Sequence, residues 1–218
     1  MTSMIKLLND QMVPSTDNSS AVLKMVVIEH PIRPRGSLLF HFYFLFLFMK
    51  FTILSWNCQG CASWKFLRVF REYNREYRPN LIGLIETMAS GEKADSIISK
   101  LDFQQPHRVE VIGFSSGIWI AWRDSFCVEI IKSHPQFVIV KVYRSSFKHS
   151  FLTAFVYGSP NSHKIIHIWW ALHSTISMDD SPWMAIGDFN AILSSNEKRG
   201  GRTVGKMCSL FRGFMELT

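Results

Sequence analysis

An α/β layered sandwich is the fold class predicted by this 218-residue sequence. Three observations predict it. Short apolar runs rich in β-branched and aromatic residues alternate with stretches whose apolar residues recur at helical spacing. The two kinds of element come in mixed order rather than as a strict strand–helix repeat. Several of the apolar runs also end abruptly in a polar side chain.

In chain order, Phe51 to Trp56 has a β-branched centre and reads as a buried strand. Ser63 is placed to cap a helix from Trp64 to about Tyr77, with Phe66, Leu67, Phe70 and Tyr73 at helical spacing. Pro79 stops it. Leu81 to Thr87 is a second apolar strand, and Lys93 to Leu101 a second helix. The runs Ile118–Trp122, Val128–Lys132, Phe137–Tyr143 and Phe151–Tyr157 are separated by polar or Pro-containing turns, as in an antiparallel meander. His163 to Ile176 is predicted as a helix; its adjacent Trp169 and Trp170 are expected to pack in the core rather than stack on bases. Trp183–Ile186 is a last short strand and Lys206–Leu217 a closing helix. No internal repeat is visible.

Residues 1–48 read differently. Met1 to Gly36 shows no sustained period, and Leu38 to Met49 is an apolar run of twelve residues. A membrane-spanning helix needs about 20 apolar residues, so the run is too short to cross a bilayer. It also lies too far from the N-terminus for an ordinary signal peptide. Met49 is the expected natural start. The predicted organisation is therefore a leader over 1–48, disordered or attached in error, and a domain over 49–218.

Composition sets the class. Hydrophobic residues make up 47% and charged residues 19%, which excludes a disordered or fibrous chain. Four cysteines are too few for a disulfide scaffold of this length and fit a reducing compartment, nucleus or cytoplasm rather than secretion. The net charge is +7. Residues 1–48 hold four basic and three acidic side chains, leaving 20 minus 14, or +6, on residues 49–218. A basic domain favours a polyanionic partner such as nucleic acid.

The polar strand ends carry the chemistry. Asn57 follows Phe51–Trp56, Glu86 ends the run Leu81–Ile85, and Asp188 and Asn190 follow Trp183–Gly187. Strands of one layer share a rim, so these groups converge there. Carboxylates and carboxamides suit a hard cation such as Mg²⁺, which takes oxygen ligands, holds phosphate oxygens and activates water. Taken singly, each residue is also an ordinary strand terminator or Asx turn.

The segments Leu54-Ser55-Trp56-Asn57-Cys58-Gln59-Gly60, Leu84-Ile85-Glu86-Thr87, Tyr157-Gly158-Ser159-Pro160-Asn161 and Gly187-Asp188-Phe189-Asn190 occur in that order. Together they resemble the endonuclease/exonuclease/phosphatase superfamily, the DNase I-like group that includes apurinic/apyrimidinic endonucleases. Gly187 to Leu193, followed by Glu197-Lys198-Arg199-Gly200-Gly201, is similar to the endonucleases of plant LINE retrotransposons. The likeness covers residues 49–218.

The resemblance implies two packed mixed β-sheets flanked by helices, Mg²⁺ or Mn²⁺ as cofactor, and nicking of a DNA substrate. It implies that Glu86 ligates the metal and that Asn57 supports it or orients a phosphate-side residue. Asp188 would orient or deprotonate the attacking water, and Asn190 would steady the pentacovalent phosphorus. Tyr157 and Asn161 would contact the scissile phosphate. An acidic residue that some relatives carry two places after the Asn is Gln59 here. The family completes its site with a further Asp and a Ser-Asp-His-like motif. All eight histidines of this chain precede Asp188, so the C-terminal part of the fold is expected to be missing and the chain to be inactive.

Three other readings stay open. Cys58-Gln59-Gly60-Cys61 after a strand and before a helix matches a thioredoxin-like redox motif, which would need a lowered Cys58 pKa. The same superfamily also contains other phosphoesterases, such as sphingomyelinases and inositol-phosphate phosphatases. A non-enzymatic remnant would keep salt-sensitive nucleic-acid binding.

Overall fold

In the computed structural model, residues 23–27, 37–44, 49–110, 117–144, 150–158, 162–176 and 183–189 are described. The strands are β1 (Leu23–Val27), β2 (Ser37–Phe44), β3 (Met49–Asn57), β4 (Leu81–Ile85), β5 (Gln105–Val109), β6 (Ile118–Trp122), β7 (Cys127–His134), β8 (Phe137–Tyr143), β9 (Ser150–Tyr157) and β10 (Trp183–Asp188). The helices are α1 (Trp64–Tyr77), α2 (Gly91–Ile98) and α3 (Ser162–Ile176). One sheet has the order β1-β2-β3-β4-β6-β5 and the other β10-β9-β8-β7. Both are mixed: β3–β4 and β9–β10 run parallel and the remaining pairs antiparallel. The layered sandwich predicted from the sequence is the observed fold.

Three clusters of buried side chains separate the layers. Phe51, Ile53, Leu81, Ile120, Val140, Phe155 and Ile186 fill the space between the sheets. Leu54, Trp56, Leu84 and Trp119, on the other face of the first sheet, meet Phe66, Phe70 and Tyr73 of α1 and Ala94 and Ile97 of α2. Ile139, Leu152, Ala154 and Val156 meet Ile168, Trp169 and Leu172 of α3. Central strands are thus covered on both faces. This is why β4 is buried at every residue and β9 at all but its two ends, whereas the edge strand β7 alternates. The sheets approach closely at Gly83 of β4, where an added Cβ would sit 2.0 Å from Cδ1 of Phe155. Glycine there gives the Phe155 ring its seat.

α1 starts and stops as predicted. Ser63 Oγ accepts from Phe66 N–H at 3.2 Å. Arg78 closes the helix in the left-handed region, its N–H donating to Asn74 O.

Several elements differ from expectation. β6 is not part of the meander: it pairs with β4 and β5 in the first sheet, and only β7-β8-β9 form the antiparallel run. β5 is half-exposed and contains Pro106, so its apolar signal is weak. α2 starts two residues earlier and ends three residues sooner than expected. Of the two adjacent tryptophans, Trp169 is buried and stacks on Phe189, but Trp170 is 62% exposed. Neighbours on a helix point about 100° apart, so one apolar face cannot hold both. The closing helix expected at 206–217 lies outside the described residues.

Two strands fall within the stretch that the sequence sets apart as a leader. β2 pairs antiparallel along the length of β3, from Ser37↔Trp56 to Phe44↔Met49, and β1 pairs with β2. This hairpin also gives the fold a repeat that the sequence hides. The series β1-β2-β3-α1-β4 has the pairing pattern antiparallel, antiparallel, parallel, and so does β7-β8-β9-α3-β10. Pairing and crossover recur without recurrence of residues. Among the described residues no helix is long and apolar enough to cross a membrane.

Candidate active site at the converging strand ends

Side-chain alternation brings three of the candidate residues to one rim. Phe51 and Ile53 of β3 point between the sheets, so Asn57, four residues beyond Ile53, continues that face. Met184 and Ile186 do the same for β10, which puts Asp188 at the end of their row; Phe151 and Phe155 place Tyr157 likewise on β9. Asp188 and Tyr157 are register partners on parallel strands and share a face.

The contact across the sheets is direct. Asn57 Nδ2 donates to Asp188 Oδ2 at 2.8 Å. An ionised carboxylate only accepts, so the amide nitrogen must face it and the amide oxygen must face elsewhere. Asn57 Oδ1 accepts from Gln59 N–H at 3.3 Å. The buried Asn57 therefore holds Asp188 through one atom and its own loop through the other. On the opposite strand, Gly158 N–H donates to the Asp188 carbonyl at 2.6 Å. An added Cβ on Gly158 would lie 1.9 Å from Phe189 O, so only glycine admits this approach.

Glu86 is set by the loop that follows β3. Cys58, Gly60 and Cys61 N–H donate to the carbonyls of Ile85, Glu86 and Thr87 at 2.8, 2.8 and 2.9 Å, carrying the β3–β4 ladder past the strand ends. Glu86 has φ 54, and Gln59 on the facing segment has φ 49. Left-handed backbone is costly away from glycine and clusters at functional sites. Glu86 is half-buried, and no hydrogen bond or ion pair engages its carboxylate among the described residues. An unengaged carboxylate beside a tethered Asn–Asp pair is a donor set of oxygens only. Such oxygens would suit a hard divalent cation, Glu86 being the carboxylate available to it and Asn57 being committed to Asp188. Asn161 and Asn190, the other two candidates, lie outside the described residues. Among the described residues no three His, Cys, Asp or Glu side chains cluster, at this rim or at any other place.

The shift of the Cys58 thiol runs against the redox reading. Burial, then Cys61, pushes the Cys58 thiol well above its ordinary pKa. A redox-active thiol of the thioredoxin kind needs the opposite shift. Sequence reasoning passed over Gln59 and Gly158 as supports of the Asn57–Asp188 pair. Glycine after a strand-ending Tyr was the one signal available for Gly158.

The chain matches the model of the endonuclease/exonuclease/phosphatase family over residues 54–216. No curated protein matches it in sequence. Among solved structures, the AP endonuclease LMAP from Leishmania major superposes with a TM-score of 0.60 at 12% identity, covering 77% of this chain and 66% of that one. The endonuclease domain of TRAS1, a telomere-specific non-LTR retrotransposon, gives a TM-score of 0.51 at 10% identity, covering 77% and 70%. A functionally unknown protein from Enterococcus faecalis gives 0.50 at 16% identity, covering 74% and 71%. At these identities the structural likeness speaks to fold alone; with the family match over most of its length, the chain belongs to the endonuclease/exonuclease/phosphatase family.

Proposed function

We propose that residues 49–218 derive from a divalent-metal-dependent endonuclease that nicks DNA, of the kind that LINE retrotransposons use to open a target strand. The observation that carries this reading is the Asn57–Asp188 bond between the sheets beside an unengaged Glu86 carboxylate. Glu86 would hold Mg²⁺ or Mn²⁺, which supplies a Lewis acid for a phosphoryl oxygen. Asp188, aligned by Asn57, would accept a proton from an attacking water. Tyr157, on the same face, would contact the phosphate. The excess positive charge favours DNA over a neutral or lipid substrate.

Mn²⁺ titration followed by electron paramagnetic resonance tests the site. The expected result is one bound Mn²⁺ per chain, lost in Glu86→Gln. Mn²⁺ binding untouched by Glu86→Gln rejects the reading.

A further inference from the structure

Helix α1 carries a surface that the proposed chemistry leaves unused. Phe66, Phe70 and Tyr73 hold one side of it against the sheet. On the opposite side Trp64, Arg68, Arg71 and Arg75 are all exposed. At about 100° per residue these four fall within about 60° of one another. The two acidic side chains of the helix, Glu72 and Glu76, fall on its flank beside Lys65, at about 80° and 120° from Trp64. A helix face kept only for solvation mixes signs; here positive charge is sorted into one stripe with an indole at its head.

That indole is 65% exposed, although tryptophan is highly buried on average. It is also oriented: the Arg68 guanidinium carbon, one turn along the helix, lies 5.3 Å from its ring centroid. Trp64 stands at the end of α1 nearest the rim, at the close of the loop that leads from Asn57. Met88, 57% exposed and two residues past Glu86, flanks the same loop, with its Sδ 4.0 Å from where a Cβ on Gly60 would be. Trp64 thus stands at the rim end of a basic stripe that runs away from it.

We propose that this face of α1 binds a single nucleic-acid strand continuing from the rim, with a base stacked on Trp64 and phosphates on Arg68, Arg71 and Arg75. The proposal rests on the nucleic-acid reading of the rim. From Trp64 to Arg75 the helix rises about 16 Å, roughly the rise of five nucleotides. A single strand fits better than a duplex because paired bases have their faces covered by their neighbours, whereas an unpaired base offers a free face to an exposed ring. Neither stacking nor phosphate contact reads the sugar, so DNA and RNA strands share the chemistry.

Fluorescence anisotropy of labelled oligo-dT, oligo-U and a duplex, with the full chain in EDTA, tests it. Trp64→Ala should weaken both single strands about 5- to 100-fold and the duplex less than about twofold. Arg68→Gln/Arg71→Gln/Arg75→Gln should lower the slope of log affinity against log salt by about 2. Glu72→Gln/Glu76→Gln, which removes flanking repulsion, should tighten binding. All these side chains are exposed, and circular dichroism of each variant confirms the fold. Single-strand affinity within twofold of the parent in both the Trp64 and the triple-Arg variants overturns the proposal. An equal loss on the duplex overturns the single-strand assignment. An Mn²⁺ site that depends on Glu86 while the stripe variants bind normally leaves the endonuclease reading standing alone; stripe-dependent binding without that Mn²⁺ site does the reverse.

Discussion

Asn57 and Asp188 are 131 positions apart in the chain, yet the amide of one donates to the carboxylate of the other at 2.8 Å, fastening the end of β3 to the end of β10. The bond joins the two sheets at the rim where the candidate chemistry lies. Asn57 is buried and Asp188 half-buried, so water replaces the lost partner poorly if either is changed.

Asn57→Ala should therefore cost about 1–3 kcal/mol. For a chain of this size that corresponds to a fall in Tm of about 2–4 °C per kcal/mol. Asn57→Asp should be worse, since it sets two carboxylates against each other. Thermal denaturation checks both, and an unchanged Tm in Asn57→Ala would show that the bond does not hold the sheets.

Gly83 and Phe155 make a second inter-sheet prediction. A methyl at residue 83 would overlap the Phe155 ring, so Gly83→Ala should destabilise by about 1–3 kcal/mol. Phe155→Leu alone also destabilises, but the double variant should be more stable than the sum of the two losses. Urea unfolding of the four proteins measures the coupling. Simple additivity would mean that the Phe155 ring is not what the added methyl meets.

His107 on β5 and Ser133 on β7 link the edges of opposite sheets through a 2.8 Å hydrogen bond. Burial lowers the His107 pKa; burial and then Lys132 lower that of His134. A lowered pKa means that the unfolded chain takes up the proton first. The stability is present above the usual histidine value of 6.5 and is lost as pH falls through the folded-state values. Unfolding free energy measured from pH 7.5 downward should decline through this window, and less steeply in His107→Gln. Parallel profiles would remove His107 from the account.

β2 covers the edge of β3 through a ladder from Ser37↔Trp56 to Phe44↔Met49. A chain beginning at Met49 leaves that edge unpaired, and open edges of apolar strands invite association. Size-exclusion chromatography at increasing concentration should show more self-association than for the full chain. Identical elution and Tm would mean that the hairpin contributes nothing to the fold.

The sequence by itself determined the strands that lie inside both layers, because a strand covered on two faces is dominated by apolar residues, as Leu81–Ile85 is throughout and Phe151–Val156 is but for Thr153. It determined α1 down to its Ser63 cap, a local bond three residues long. It also marked Asn57, Glu86 and Asp188, since a polar residue at the end of an apolar run breaks its own pattern. Only the tertiary structure decided what those residues meet. Nothing local in Asn57 selects Asp188; the partner follows from two sheets packing on Phe155 and Ile186 and bringing their strand ends level. The edge strand β5 stayed hidden: its residues are half-exposed or exposed and carry little apolar signal, and its place beside β6 is fixed by a ladder of backbone bonds that side-chain pattern does not encode.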